Sequence, residues 1–158
     1  MNIRLATLRD ARVIVDFNIK LARETENIRL NPGVVGRGVR ALLRDPSKGF
    51  YLLADAGTAA RPDVIGQLMI TREWSDWRNG DIWWFQSVYV KRASRGRGVF
   101  ASLYRQVNKL ARERKNVRGL RLYVEKENVR AIRTYTRLGM KEAYYRIFEL
   151  YFGRGKMG

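Results

Sequence analysis

The spacing of hydrophobic positions changes several times along the chain, and each change marks an expected element. Helical spacing, with apolar residues three and four positions apart, occupies residues 13–24, 32–45, 99–115 and 128–138. Alternating or continuous apolar runs predict strands at residues 3–5, 50–54, 64–70, 82–90, 120–124 and 143–151. The order β-α-α-β-β-β-α-β-α-β combines hairpins with crossovers. We therefore expect one α/β domain over residues 1–158, with both parallel and antiparallel pairing in its sheet.

The predicted strand 82–90 is followed by a short loop with two glycines, Gly96 and Gly98, and then at once by a helix. Backbone N–H groups at the start of a helix are unpaired and carry partial positive charge, which suits a phosphate. Arg92, Arg95 and Arg97 add formal positive charge. The spacing is that of neither a Walker A loop nor a dinucleotide fingerprint. By turn rules alone, an anion site and a plain connection are about equally favoured.

Two residue types are missing from the 158 residues: there is no cysteine and no histidine. Disulfides, thiolate metal sites and a cysteine nucleophile are excluded, as is the commonest general base. Acid–base chemistry must use carboxylates, tyrosine, lysine or ordered water. We expect no metal.

The formal net charge of +17 predicts attraction to polyanions. The arginines are spread along the chain, which favours a solvated basic surface over a nucleic-acid-binding tail. Nucleic acid is expected only as a non-specific electrostatic partner. No apolar run approaches the ~20 residues of a membrane span, and residues 1–4 lack a hydrophobic signal region. A cytoplasmic protein without a membrane partner is the expectation.

Two motifs in this order resemble the GNAT family of N-acetyltransferases. The first is the glycine loop at residues 95–100, which is similar to the family's Arg/Gln-x-x-Gly-x-Gly/Ala pyrophosphate loop. The second is Asn128-x-x-Ala131-x-x-x-Tyr135-x-x-x-Gly139-Met140, which looks like the family's late Asn…Ala…Tyr…Gly-Phe segment. The resemblance implies an α/β fold with a mixed, mostly antiparallel central sheet, flanked by helices and splayed between its two central strands. It also implies acetyl-CoA as the acetyl donor.

The family's site roles carry over to matching positions of this chain. The resemblance assigns the pantetheine arm to Val88, Tyr89 and Val90, and the pyrophosphate to the backbone amides of Arg95, Gly96, Arg97, Gly98, Val99 and Phe100. Asn128 is expected to face the cofactor arm, and Tyr135 to act near the thioester sulfur as the general acid. Without the family, Tyr135 on an apolar helix face would be read as a core residue. Phe100 stands where the family has Gly or Ala, so its side chain is expected to turn into the core.

The residues that would bind the amine acceptor are predicted from composition and from their position along the chain. Glu73 is the candidate general base, because Gln86 occupies the strand where some polyamine-acetylating relatives carry a glutamate, and an amide cannot accept the proton. The candidate substrate-binding residues are Glu24, Glu26, Glu73, Trp74 and Trp84, with Trp77 beside them. Carboxylates and aromatic rings can hold an ammonium group. The alternative is that the acids are solvated groups that offset nearby arginines.

The sequence therefore predicts an acetyl-CoA-dependent N-acetyltransferase that acts on a primary amine of a small molecule such as a polyamine, an amino acid or an aminoglycoside-like amine. A protein lysine or N-terminus is the alternative acceptor. A catalytically inactive, basic nucleic-acid-binding module on the same fold is a further alternative. A homodimer is compatible with the resemblance, and the aromatic side chains of the predicted last strand (Tyr144, Tyr145, Phe148 and Phe152) are its first candidate contact.

Overall fold

The computed structural model describes residues 1–152. Five strands and four α-helices lie within this range. In chain order they are β1 (Asn2–Leu5), α1 (Ala11–Thr25), α2 (Pro32–Arg44), β2 (Phe50–Asp55), β3 (Val64–Ser75), β4 (Gly80–Val90), α3 (Val99–Arg112), β5 (Val117–Leu122) and α4 (Val129–Arg137).

Local sequence explains where these elements begin. The Asn31 side chain accepts hydrogen bonds from the amides of Gly33 (2.9 Å) and Val34 (3.1 Å), and Pro32 occupies the first position of α2, where its missing N–H has no cost. At the other end of the fold, Arg4 on β1 donates to the carboxylates of Asp10 (2.8 Å) and Asp55 (3.2 Å). This ion-pair group ties β1 to the start of α1 and the end of β2.

The strands form one sheet in the order β1-β2-β3-β4-β5. The first four strands pair antiparallel, while β5 runs parallel to β4 and is reached through α3. The predicted mixed, mostly antiparallel α/β sheet flanked by helices is confirmed. The β3–β4 hairpin is longer than predicted, because the pairing continues to Ser75 and Gly80 through residues whose polar character suggested a turn.

Apolar side chains fill both faces of the sheet. Leu68, Trp83 and Leu103 belong to the cluster between one face and α3, and each is fully buried. Phe17 on α1 and Leu53 on β2 belong to the cluster that α1 and α2 form on the opposite face. Burial of alternate strand residues on opposite sides follows from the two-residue period of a strand.

Strands β4 and β5 separate part of the way along. Their ladder runs from Asp81 opposite Val117 to Phe85 opposite Leu122, and residues 86–90 of β4 continue without a partner on that side. The sheet is therefore split between its two parallel strands, as the family resemblance implied. The split opens toward the glycine loop, which follows β4 after a short turn at residues 91–94.

The prediction of a strand at residues 143–151 is wrong. Residues 141–152 have no regular secondary structure, and no backbone–backbone hydrogen bond of the described chain involves them. Large apolar side chains in this segment lie in solvent, with Tyr144 fully exposed. A strand needs a neighbour that pairs with its backbone, and nothing in residues 1–152 provides one.

Among the same residues, no helix is long and apolar enough to cross a membrane.

Candidate active site

The glycine loop turns the chain from β4 into α3 by means of two left-handed residues. Gly96 has φ = 78° and Gly98 has φ = 76°, a region that favours glycine because a Cβ atom is strained there. Gly98 is the N-cap of α3, and the Ser102 N–H donates to its carbonyl (3.0 Å). The amides of residues 99–101 precede this bond, so they belong to the set of helix-start donors that an anion can accept.

The Arg95 side chain is tied to the end of α1. Its guanidinium donates to the Glu24 carboxylate (2.7 Å) and to the Val90 carbonyl (2.9 Å), and it lies over the Tyr89 ring. Tyr89 also donates its hydroxyl proton to Glu24 (3.1 Å), and Arg92 lies 3.3 Å from the same carboxylate. The hydrogen bond from Arg95 is the main cause that holds the pKa of Glu24 below its usual value. Glu24, a predicted substrate-binding residue, thus binds Arg95 of the glycine loop and Arg92 just before it.

A bulge in β4 lies beside the split. Ser87 has φ = 47°, and the register between β3 and β4 shifts at this point. The fully buried Gln67 side chain donates its amide protons to the Ser87 carbonyl (3.2 Å) and to the Asn18 side chain (2.7 Å). Asn18 in turn donates to the Tyr51 hydroxyl (3.2 Å). Gln67 therefore fixes the backbone of the bulge from inside the core.

The three β4 residues predicted to hold the pantetheine arm lie just after this bulge. Val88, Tyr89 and Val90 pack against the two core clusters, with Tyr89 nearly buried. Their backbone on the β5 side has no strand partner, because the β4–β5 ladder ends at Phe85. The geometry provides an unpaired strand edge inside the sheet, and such an edge can bond to an extended molecule.

Tyr135 and Phe100 pack against each other. Their ring centroids are 5.5 Å apart with the rings at 71°, an edge-to-face contact. Burial raises the pKa of the Tyr135 phenol above its ordinary value, so the hydroxyl stays protonated at neutral pH. Phe100 packs against the core cluster of α3, as expected for a bulky residue that replaces Gly or Ala in the loop.

Asn128 is the N-cap of α4. Its side-chain oxygen accepts the Ala131 amide proton (3.1 Å), which stabilises the start of the helix that carries Tyr135. This structural role accounts for the asparagine without reference to a cofactor. Its predicted contact with the cofactor arm remains a prediction.

Glu73, the candidate base, belongs to a polar and aromatic cluster near the β3–β4 turn. Its carboxylate accepts the indole N–H of Trp84 (2.6 Å) and a guanidinium proton of Arg121 (2.9 Å). The Trp84 ring lies 4.5 Å from that of Tyr123. Glu73 pairs with Ile82, five residues before the bulge, which is roughly 16 Å along the strand at ~3.3 Å per residue.

The other predicted acceptor residues are not brought together with Glu73. Trp74 follows Glu73 on the same strand, so its side chain lies on the opposite face of the sheet, where it is 65% exposed. Trp77, in the turn, is 87% exposed, and Glu26 is exposed after the end of α1. The structure therefore groups Glu73 with Trp84 and leaves four predicted acceptor residues apart from them: Glu24, Glu26, Trp74 and Trp77.

The sequence did not indicate three residues that contact the β4 bulge or the candidate acceptor residues. Gln67 is the one polar side chain in the apolar run of residues 64–70, and a buried amide in such a run is a signal that could have been followed. Arg121, which contacts Glu73, and Tyr123, which contacts Trp84, lie in no local sequence pattern that predicts these contacts.

Within residues 1–152, no group of three or more His, Cys, Asp or Glu side chains is close enough to hold a metal ion.

Comparison with known proteins gives a consistent result. A crystal structure of a possible acetyltransferase from Clostridium difficile 630 is 40% identical in sequence, with 97% of this chain and 98% of that chain covered and a TM-score of 0.85. A predicted acetyltransferase with acetyl-CoA from Clostridium acetobutylicum is 18% identical, with 94% and 95% covered and a TM-score of 0.73. A ribosomal-protein-alanine N-acetyltransferase from Brucella melitensis biovar Abortus 2308 is also 18% identical, with 96% and 98% covered and a TM-score of 0.71. The last two share the fold.

Comparison with curated protein sequences gives no significant match. The model of the acetyltransferase (GNAT) family matches residues 16–140, which include the glycine loop, the split between β4 and β5, and Tyr135. The chain belongs to the acetyltransferase (GNAT) family.

Proposed function

We propose that this protein is an acetyl-CoA-dependent N-acetyltransferase that moves the acetyl group directly to a primary amine of a small molecule. The observation that carries the proposal is the split between β4 and β5, which opens beside a glycine loop that starts a helix. The acetyl-CoA in the related Clostridium acetobutylicum structure supports the choice of donor.

The residues of the split and the loop fit acetyl-CoA. The backbone of residues 88–90, which lacks a strand partner on the β5 side, matches the amide-bearing pantetheine arm, with the Val90 carbonyl already accepting from Arg95. The amides of residues 96–100, up to the start of α3, suit the pyrophosphate, whereas the predicted Arg95 amide already donates to the Arg92 carbonyl (3.2 Å). Gly96 and Gly98 carry no side chains that would cover those amides, and the Arg130 guanidinium lies 3.8 Å from the position that a Cβ of Gly96 would take. Acetyl-CoA would supply an activated thioester carbonyl, which needs no nucleophile from the enzyme.

The chain offers a proton donor for the leaving sulfur. In the transfer, a bond forms between the amine nitrogen and the acetyl carbon while the carbon–sulfur bond breaks. The sulfur gains a proton and the amine loses one. Tyr135 is suited to give that proton, because burial keeps its hydroxyl protonated. Glu73 or an ordered water is the candidate to accept the proton of the amine.

A small primary amine is the acceptor that we favour. Glu73 and Trp84 together offer a carboxylate and an aromatic ring, the groups that hold an ammonium ion. An amine would replace the Arg121 guanidinium there, because Arg121 donates to Glu73 (2.9 Å) and lies over the Trp84 ring. A protein lysine or N-terminus is the competing acceptor, and the assay below separates the two. The primary measurement is release of free CoA thiol from acetyl-CoA with a panel of polyamines, amino acids and aminoglycosides, and in parallel with a panel of peptides. Turnover on peptides alone would contradict the small-molecule assignment.

The cofactor assignment has its own test with a matched control. Neither Gly98→Ala nor Gly38→Ala brings the new methyl group within 4 Å of another atom, so they differ in backbone conformation rather than in crowding. Gly98 is left-handed whereas Gly38 lies within α2. We expect Gly98→Ala to weaken acetyl-CoA binding in calorimetry and Gly38→Ala to leave it unchanged. Absence of acetyl-CoA binding to the parent chain would refute the proposal.

The role of Glu73 is tested by Glu73→Gln. The amide keeps the hydrogen bond from Trp84 but cannot accept a proton, so a base role predicts a lower kcat and a changed acidic limb of the pH–rate profile. Trp84→Phe is the companion variant, because it removes the indole donor and leaves the carboxylate in place. An unchanged rate with Glu73→Gln assigns the proton to water.

A further inference from the structure

A charged and aromatic cluster lies at the closed end of the split between β4 and β5. Trp84 and Arg121 pair with each other across these strands, and the ladder ends one residue beyond them. Tyr123 lies just past this end, and the centres of the Tyr123 and Trp84 rings are 4.5 Å apart. Glu73 on β3 accepts hydrogen bonds from Trp84 and Arg121. We call Glu73, Trp84, Arg121 and Tyr123 the Arg121 cluster.

The Arg121 cluster and Tyr135 lie on opposite faces of the sheet. Trp83 is buried in the core cluster beneath α3, so the next residue, Trp84, points to the other face. Tyr135 contacts Phe100, which packs against the α3 side of the core. An acceptor bound at the Arg121 cluster would therefore reach the split from the face opposite the proton donor.

The guanidinium of Arg121 is held in place and still has donors to offer. It donates from Nη1 to Glu73 (2.9 Å) and lies 5.7 Å from the centre of the Trp84 ring. A guanidinium presents several N–H donors in a rigid fork. Within residues 1–152, Nε and Nη2 of Arg121 donate no hydrogen bond, and the side chain is 36% exposed. An anion from solvent can therefore bind to the remaining edge of the fork.

We propose, resting on the function proposed above, that the acetyl acceptor is an amino acid or a similar zwitterion. Its carboxylate binds to Arg121, and its amine takes the place of the guanidinium at Glu73. The exchange leaves every charge with a partner, because Glu73 exchanges a guanidinium for an ammonium group and Arg121 exchanges one carboxylate for another. Guanidinium and carboxylate groups form paired, charge-assisted hydrogen bonds, which fix the orientation of the bound molecule.

An amine without a carboxylate lacks this advantage. If it displaced the guanidinium from Glu73, Arg121 would lose its carboxylate partner. Glu24, another predicted acceptor carboxylate, already holds Arg95 (2.7 Å) and Arg92 (3.3 Å). Polyamines and aminoglycosides carry several positive charges, and a chain with a net charge of +17 repels them. The charges at the site therefore favour an acceptor that brings a negative group beside its amine.

Matched acceptors test the substrate class in the thiol-release assay. Each common amino acid with a primary amine is compared with its decarboxylated amine, such as alanine with ethylamine or lysine with cadaverine, and with its amide. We expect kcat/KM for the preferred amino acids to exceed that for both analogues by roughly tenfold or more, because a hydrogen-bonded charge pair is lost. Equal or faster turnover of the amines would overturn the inference and leave the proposed function standing. Absence of acetyl-CoA binding would instead refute the proposed function.

Arg121→Gln tests the assigned residue, with Arg118→Gln as the matched control. Arg118 lies on the same strand and donates to the Arg78 carbonyl (3.2 Å), outside the Arg121 cluster. Both substitutions remove one positive charge, but only the first removes the partner of the acceptor carboxylate. We expect Arg121→Gln to raise KM for amino acids by roughly ten- to hundredfold. KM for the matched amines should stay equal or fall, because no guanidinium then competes for Glu73. Arg118→Gln should leave both values unchanged.

A purely structural role of Arg121 predicts a different pattern. Loss of the ion pair with Glu73 would then lower kcat/KM for amino acids and for amines by the same factor, and this outcome would overturn the inference. Arg121→Lys is the second variant, because it keeps the charge but loses the planar fork. We expect its KM for amino acids to lie between those of the parent and Arg121→Gln. Thermal unfolding of each variant, measured in parallel, shows whether it is folded.

Discussion

The Tyr135 hydroxyl can be separated from the Tyr135 ring by a single substitution. Tyr135→Phe deletes one oxygen and keeps the edge-to-face contact with Phe100 at 5.5 Å. Burial raises the pKa of this phenol, and within residues 1–152 its hydroxyl makes no hydrogen bond that the substitution would remove. The free energy of unfolding should therefore change by no more than ~0.5 kcal/mol. A positioned proton donor contributes ~10²–10⁴-fold to a rate, so kcat should fall by about that factor.

Tyr104 is the matched control, because it lies near the same Phe100 ring but bonds differently. Its hydroxyl donates to the Leu138 carbonyl (3.1 Å), and its side chain is almost fully buried. Tyr104→Phe loses one hydrogen bond, which costs about 1 kcal/mol of stability and ~2–4 °C in Tm, while kcat stays near the parent value. Tyr135→Phe is therefore expected to lower kcat and leave stability unchanged, whereas Tyr104→Phe is expected to lower stability and leave kcat unchanged.

The assay is thiol release under saturating acetyl-CoA from neutral pH to above pH 10, with thermal unfolding measured on the same samples. In the parent enzyme the raised pKa of Tyr135 keeps the donor protonated to beyond ~10, the ordinary value for a phenol. Turnover by Tyr135→Phe within about threefold of the parent rate across this range would refute the general-acid assignment, since a proton donor contributes far more than that.

Three further outcomes follow from buried and capping contacts. Gln67→Leu removes two hydrogen bonds and leaves the Asn18 amide oxygen and the Ser87 carbonyl without this donor, which should cost about 1–3 kcal/mol in denaturant unfolding. Acetyl-CoA affinity in calorimetry should fall as well, because the β4 bulge loses its support. Asn31→Ala removes the cap of α2 and should cost ~0.5–2 kcal/mol in denaturant unfolding, with kcat unchanged. Burial would raise the pKa values of Asp10 and Asp55, but hydrogen bonds, including those from Arg4, hold both below their usual value. Their contribution to stability is therefore complete above about pH 4 and lost as the pH falls further, a dependence that Arg4→Met should flatten.

Most of the sheet and all four helices follow from the spacing of apolar residues, because each element buries one side or both in a core that local sequence anticipates. The last predicted strand shows the limit of this reasoning. Residues 143–151 have strand composition, but composition records a preference for the extended chain and does not supply the neighbour that completes its hydrogen bonds. Whether such a neighbour is present depends on the tertiary or quaternary structure, which the local sequence does not determine.

The geometry of the candidate site follows from the sequence where a motif is continuous, and it does not where the arrangement depends on distant contacts. The two glycines of the loop have the left-handed geometry that such a turn needs. Glu24 is a predicted acceptor-binding residue, and the structure adds a contact that the sequence did not indicate: its carboxylate bonds to Arg95, 71 residues further along the chain. No spacing rule reaches that far, and a single exposed-looking acid gives no indication of which arginine it will meet.

The unpaired stretch of β4 has a consequence for how this protein tolerates mutation. On the proposed function, recognition of the pantetheine arm along residues 88–90 would use backbone N–H and C=O groups, which every amino acid except proline supplies in full. Substitutions at these positions can change the side chains to suit core packing, while the backbone hydrogen-bond donors and acceptors stay the same. Proline at Val88 or Val90 would be the informative exception, because it deletes a donor whatever its size. Such an interior edge lets the acyl-donor side of the site persist while the acceptor side diversifies.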